Sequence, residues 1–153
     1  MKRLDYYWYT RSPWLVLLTP LSLLYRIIVS LRRSAYKYGI LRSTRVTTPV
    51  IVVGNITVGG TGKTPLVAWL AEYLRGKGYK PGIISRGYGG VSSNWPQQVR
   101  PDSDPAAVGD EAVLLAAKTG CPMSVAPDRV AAATALTEHS DCDVILSDDG
   151  LQH

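Results

Sequence analysis

Cysteine is scarce: Cys121 and Cys142 are the only two in 153 residues. That excludes a disulfide scaffold, and no metal-ligand spacing links the pair. Acidic residues are also scarce, but only locally. Residues 1–45 hold one, Asp5, against nine Lys and Arg, a net of +8. Residues 46–153 hold eleven acids against eight bases, a net of −3, and the whole chain carries +5. This asymmetry excludes a uniformly basic nucleic-acid binder, and any basic partner surface belongs to the first third. No secretory signal is expected from the pattern: the apolar run starts late, near Trp14, and no small-residue cleavage site follows it. Internal repeats and low-complexity tracts are absent. Apolar residues make up 46% and charged residues 19%, which excludes disorder as the main state. The length is that of one ordinary domain.

What is present divides at about residue 47. From Trp14 to Leu31 the chain is mostly Leu, Ile, Val and Tyr. As a helix this stretch would span ~27 Å, close to the ~30 Å of a bilayer core. Its periodicity argues against a span. At 100° per residue, Thr19, Ser22, Arg26, Ser30, Arg33 and Lys37 share one narrow face, while Leu17, Leu21, Leu24, Tyr25, Ile28 and Leu31 cover the rest. A spanning helix would bury Arg26 at a cost of roughly 2.5–3.5 kcal/mol or more. An interfacial helix turns it to the head groups, where each cation contributes about 1 kcal/mol on an anionic leaflet. Tyr6, Tyr7, Trp8, Tyr9 and Trp14 form an aromatic cluster suited to that interface. The pattern thus favours an interfacial helix over one packed on its own domain, and over a true span.

From Thr48 onward short apolar runs alternate with helical patterns. Residues 50–53, β-branched and preceded by a proline, predict a buried strand. Leu66, Val67, Leu70, Tyr73 and Leu74 recur at helical spacing and predict a helix over 64–75. Further strands are expected at Pro81–Ser85, 123–126 and Val144–Ser147, and further helices at 110–118 and 128–139. Residues 91–108, rich in Ser, Pro, Asn and Gln, predict a loop. Alternating β and α elements imply an α/β fold, a parallel sheet flanked by helices. Ligands then bind at the edge where the strand C-termini gather.

That edge carries the chemistry. The first strand runs into Gly54-Asn55-Ile56-Thr57-Val58-Gly59-Gly60-Thr61-Gly62-Lys63-Thr64. The last eight residues fit a phosphate-binding loop, except that Thr57 stands where the first glycine is usual. Gly59, Gly60 and Gly62 let backbone N–H groups close on phosphate oxygens. Lys63 can reach the β- and γ-phosphates, and the Thr64 hydroxyl can ligate Mg²⁺. The last strand delivers Asp148 and Asp149 to the same edge, as in a Walker-B arrangement. Asp110 and Glu111 open a helix, where they serve either as N-terminal caps or as a base or Mg²⁺-linked carboxylate. Arg86 either neutralises phosphate or is simply solvated. His139 is expected on the surface, and His153 near the site.

Taken together, the segments 53–65, Ser85-Arg86-Gly87-Tyr88-Gly89, Gly109-Asp110-Glu111 and Asp148-Asp149-Gly150-Leu151-Gln152-His153 resemble the tetraacyldisaccharide 4′-kinase family, the lipid A 4′-kinases of Gram-negative bacteria. Thr57 at the loop start is also how that family looks. The resemblance implies a P-loop kinase that transfers phosphate from ATP, with Mg²⁺, to the 4′-hydroxyl of an acylated disaccharide lipid. It implies an N-terminal helix resting on the anionic cytoplasmic face of the inner membrane. It also implies that Asp110 helps deprotonate the sugar hydroxyl, and that Lys63, Thr64, Asp148 and Asp149 serve nucleotide and Mg²⁺. No nucleic acid and no protein partner is expected.

Family members are longer, and their second half contributes to the same cleft. The chain therefore reads as an N-terminal portion: residues 1–47 as a membrane-associating segment, and 48–153 as the first part of the kinase core. Two other readings stay open at this level. One is a regulatory or transport NTPase recruited to membranes, although no Asn-Lys-x-Asp guanine-specifying segment is present. The other is an inactive membrane-binding fragment.

Overall fold

The computed structural model describes residues 18–41, 43–54 and 62–150. The expected aromatic cluster at 6–14, Leu17, most of the phosphate loop (Thr57, Val58, Gly59, Gly60 and Thr61) and His153 lie outside them. The chain divides into two compact units, residues 1–44 and 45–153.

The first unit contains helix α1 (Thr19–Lys37), which begins at a Pro20 placed in its first turn. None of its residues is buried, and Leu21, Leu24, Tyr25, Ile28 and Leu31 are all exposed. Arg32 lies over the Tyr36 ring, 5.9 Å from its centroid. Among the described residues no helix is long and apolar enough to cross a membrane.

The second unit contains a five-stranded sheet in which four strands are parallel. Its elements are β1 (Val50–Val52), α2 (Lys63–Gly76), β2 (Pro81–Ser85), β3 (Gln97–Val99), α3 (Pro105–Val108), α4 (Asp110–Thr119), β4 (Met123–Val125), α5 (Arg129–His139) and β5 (Val144–Ser147). The strand order is β1-β5-β2-β4-β3. Successive residues of a strand face opposite sides. Ile83 and Leu146 therefore pack with Val67, Ala68 and Ala71 of α2 and Leu115 of α4. Ile84 and Ile145 pack with Ala132, Ala133 and Leu136 of α5 on the other face. Covered on both sides, β5 buries all four of its residues, as parallel strands do.

Two expectations need correction, and the helix expected over 64–75 forms with a narrower buried face than its leucine spacing outlines. Residues 50–53 do form a strand up to Val52, but a buried one was expected, and β1 is an edge strand whose three residues are exposed. It pairs with β5 alone, so its other side has no neighbour among the described residues. Residues 91–108 are not all loop. Val99 supplies one buried residue to β3, which pairs antiparallel with β4, and Asp104 caps the short α3 by accepting the Ala106 N–H. Helix α2 does not bury all of its leucine-spaced face. Val67, Ala68 and Ala71 meet the sheet, because small side chains allow close approach, while Leu66 and Tyr73 are exposed.

Burial ranks the apolar positions energetically. Leu136 is 0% exposed and Leu66 is 49% exposed. Leu136→Ala is expected to cost about 2–5 kcal/mol of unfolding free energy, a cavity penalty. Leu66→Ala should cost less than about 1 kcal/mol. Urea denaturation of the two variants checks the ranking.

Candidate active site

The parallel strands β1, β5, β2 and β4 end side by side, so four loops leave the sheet together. Backbone hydrogen bonds continue the ladder past the strand ends and fix those loops. Val53 N–H donates to Ser147 O at 2.9 Å, Asp148 N–H to Ile84 O at 2.9 Å, and Ala126 N–H to Ser85 O at 3.2 Å. After β5 the chain turns sharply at Asp149, which has φ +52°. Aspartate tolerates this left-handed region better than most residues. Gly150 N–H then donates to Val53 O at 3.1 Å, closing the turn.

Two carboxylates result, in different surroundings. Asp149 is half-exposed and accepts a 2.5 Å hydrogen bond and ion pair from Lys63 Nζ, at the first turn of α2. Asp148 is only 6% exposed, and its Oδ1 has no hydrogen-bond partner among the described residues. Burial pushes its carboxyl above the ordinary carboxylate range. The charges of Asp149 and Glu111 push the same way, and Lys63 opposes them.

Lys63, Asp148 and Asp149 are therefore brought together, with Glu111 near enough to be felt. Thr64 is partly buried beside Lys63 in the first turn of α2. Asp110 is the first residue of α4 and is exposed, with Gly109 as the N-cap. Its Oδ1 accepts the Glu111 N–H at 2.9 Å. Arg86 follows β2 at the same edge. His139 is exposed, its ring 2.8 Å from Ala135 O. Cys121 is buried, and burial pushes its thiol up, away from the reactive thiolate form.

Sequence reasoning passed over Arg129. Its Nη2 donates to Asp149 O at 3.2 Å and its Nη1 to Ala126 O at 3.5 Å, while Nε is buried with no partner among the described residues. Burial lowers its pKa, as does the nearby positive charge of Arg86, and Asp149 and Asp148 act in the opposite sense. One signal was available: an arginine opening a helix, where the helix dipole disfavours a cation.

The donors suit a hard cation. A buried carboxylate oxygen without a partner, a second carboxylate beside it and the Thr64 hydroxyl are the oxygen ligands that Mg²⁺ takes. Among the described residues, no group of three or more His, Cys, Asp and Glu could hold a metal ion. Mg²⁺ needs no such cage, because it keeps waters and shares phosphate oxygens. An ammonium has three donors, so Lys63 can serve Asp149 and a phosphate together.

The tetraacyldisaccharide-1-P 4′-kinase family matches residues 14–153. A tetraacyldisaccharide 4′-kinase of Nitrosococcus oceani is 63% identical over 147 residues, which cover 96% of this chain and 44% of the relative. One from Alkalilimnicola ehrlichii is 57% identical over 155 residues, covering 100% of this chain and 46% of the relative. A crystal structure of LpxK from Aquifex aeolicus in complex with ATP is similar with a TM-score of 0.72 at 34% identity, covering 89% of this chain and 44% of that one. The chain thus spans less than half the length of these relatives.

The Asp148 carboxyl makes stability depend on pH. Its folded pKa lies above its unfolded value, so the native state binds the extra proton. Stability is then lost as pH rises through that window. Asp148→Asn is expected to raise Tm at pH 7 by roughly 2–4 °C, for about 1 kcal/mol. The difference should close below the ordinary aspartate range, about pH 4. Thermal melts from about pH 3 to pH 8 test this, and a pH-independent difference would contradict it.

Proposed function

The chain belongs to the tetraacyldisaccharide-1-P 4′-kinase family, and from that premise we propose that it forms part of an ATP-dependent kinase acting on the 4′-hydroxyl of a tetraacyl disaccharide 1-phosphate. The observation that carries this reading is the Lys63–Asp149 pair beside the buried Asp148, whose Oδ1 has no hydrogen-bond partner among the described residues.

In the proposed reaction the sugar hydroxyl oxygen attacks the γ-phosphorus of ATP. The bond from that phosphorus to the β–γ bridging oxygen breaks, and ADP leaves. Asp110 takes the hydroxyl proton, and its exposed position at the start of α4 supports that role. Lys63 and the positive end of α2 neutralise charge developing on the β- and γ-phosphates, where most of such catalysis lies. Thr64, Asp148 and Asp149 would hold Mg²⁺, which would supply positive charge against the phosphates. The loop residues Thr57 to Gly62 cradle the nucleotide. Arg86, Glu111 and His153 are candidate contacts to substrate or phosphate.

Helix α1 serves the acylated substrate by lying in the anionic cytoplasmic surface of the inner membrane. Its support is a helix with no buried residue, largely apolar, with Arg26, Arg33 and Lys37 along one stripe and Arg32 off it.

Two measurements test the proposal. With enzyme of the relatives' full length, Lys63→Ala should lower kcat for lipid phosphorylation by about 10²–10³-fold, and Asp110→Ala by about 10²–10⁴-fold. Normal turnover in either variant overturns that residue's role. The paired change Arg26→Ala with Arg33→Ala should weaken binding to phosphatidylglycerol vesicles roughly thirtyfold, from about 1 kcal/mol per cation. Binding to neutral vesicles should change little, and co-sedimentation reads both.

A further inference from the structure

The glycine-rich turn after β2 is built against the start of α4, backbone on backbone. Gly109, with φ +95°, is the N-cap that delivers Asp110. A Cβ on Gly109 would lie 2.5 Å from the Tyr88 carbonyl oxygen. A Cβ on Gly90 would lie 2.5 Å from the Ala107 carbonyl oxygen and 3.0 Å from the Val108 carbonyl carbon. Both distances are shorter than real Cβ contacts, and the obstacles are backbone atoms that cannot swing aside. Val91 N–H donates across the same seam to Ala106 O at 3.0 Å. Trp95 supports it from one side, since a Cβ on Gly87 would meet its ring at 3.2 Å.

We propose that Gly90 and Gly109 are positioning residues: by letting the 87–91 turn lie directly on residues 106–109, they hold Asp110 in its reactive place. The proposal rests on the reading of Asp110 as the group that takes the hydroxyl proton. Arg86 and Tyr88 on one side of the seam, and Asp110 and Glu111 on the other, then form a single rigid unit. Nothing in this requires the glycines to touch phosphate. They are needed because two stretches of main chain approach too closely for any side chain between them.

Gly90 is the informative position, because its φ is not in the left-handed region. Alanine there suffers only from the contact, not from backbone strain. In full-length enzyme, Gly90→Ala is expected to lower kcat by roughly 10–100-fold, the size expected for displacing a catalytic group by about 1 Å. KM for ATP and equilibrium ATP binding should stay within about twofold, because Lys63, Thr64, Asp148 and Asp149, the residues assigned to nucleotide and Mg²⁺, lie outside the seam; a merely structural defect would move all three together. Gly76→Ala, with open space around its Cβ and an ordinary φ, is the control and should leave kcat unchanged.

Should Gly90→Ala fail to fold, Val91→Pro tests the same seam by deleting the N–H that Ala106 accepts. Val91 is 82% exposed, so its side chain matters little, and a loss in kcat of about three- to tenfold is expected. Asp110→Ala separates the two claims. If it is inactive while Gly90→Ala, or Val91→Pro in its place, turns over within twofold of the parent, the seam proposal is wrong and the assignment of Asp110 stands. If Asp110→Ala turns over normally, both fall.

Discussion

Asp148 and Asp149 set two negative charges side by side where β5 leaves the sheet, and Glu111 adds a third nearby. Such a cluster is unfavourable unless cations face it. Lys63 comes from 86 residues away to meet one oxygen of Asp149, which joins the start of α2 to the end of β5. That contact is no strong stability device, because both side chains keep solvent access and exposed ion pairs contribute little. Asp148 is left buried and only partly compensated, its Oδ1 without a hydrogen-bond partner among the described residues. A fold selected for stability alone would place an apolar residue or an asparagine there. Retaining a carboxylate is understandable if a cation is meant to meet it, and the neighbouring oxygen donors suit that purpose.

Much of this architecture was legible in the sequence. The β5 strand and β2 fall at their expected residues, and α2, α4 and α5 begin and end within a residue or so of expectation. These elements have strong local signals: β-branched runs, helical spacing, and glycine or aspartate at the boundaries. The misreadings have one physical source, which is that local pattern does not reveal neighbours. Val50, Ile51 and Val52 look like a core strand, yet β1 lies at the edge of the sheet. Gln97 and Gln98 look like loop, yet β4 recruits them as a short antiparallel partner. Leu66 and Leu70 look equivalent by spacing, while the narrow stripe of Val67, Ala68 and Ala71 decides how α2 sits.

The site divides in the same way. Lys63, Asp148 and Asp149 could be named from motifs because the roles proposed for them follow from their place on strand and helix ends. Arg129 could not, because its importance arises from a contact with the main chain of Asp149, 20 residues away. The glycines of the 87–90 turn carried a visible signal with an ambiguous meaning. A glycine run beside an arginine suggests a phosphate cradle. At Gly90 and Gly109 the surrounding atoms are carbonyl groups of the same unit, so the need for glycine comes from main-chain proximity. Sequence can show that a side chain is missing, but only neighbouring coordinates show what occupies its space.

Both expected partners, nucleotide and membrane lipid, are polyanions, yet the positive charge is placed for only one of them in bulk. Residues 46–153 are net −3. In the proposed reading, nucleotide binding there rests on local donors: Lys63, the positive end of α2, and a cation held by the carboxylates. Local donors act at hydrogen-bond range and discriminate geometry. Diffuse charge acts over roughly a Debye length, about 8 Å at physiological salt, and recognises a surface rather than a shape. Residues 1–45, at +8, fit the second mode in the proposed reading, with Arg26, Arg33 and Lys37 along one stripe of α1 and Arg32 on another side of it. Separating the two modes avoids a conflict. A core basic enough to hold nucleotide by net charge would also adhere to the lipid surface through its own cleft. A membrane helix without cations would lose the electrostatic part of its hold. The charge asymmetry thus accords with the proposal that surface attachment falls to one unit and phosphate geometry to the other.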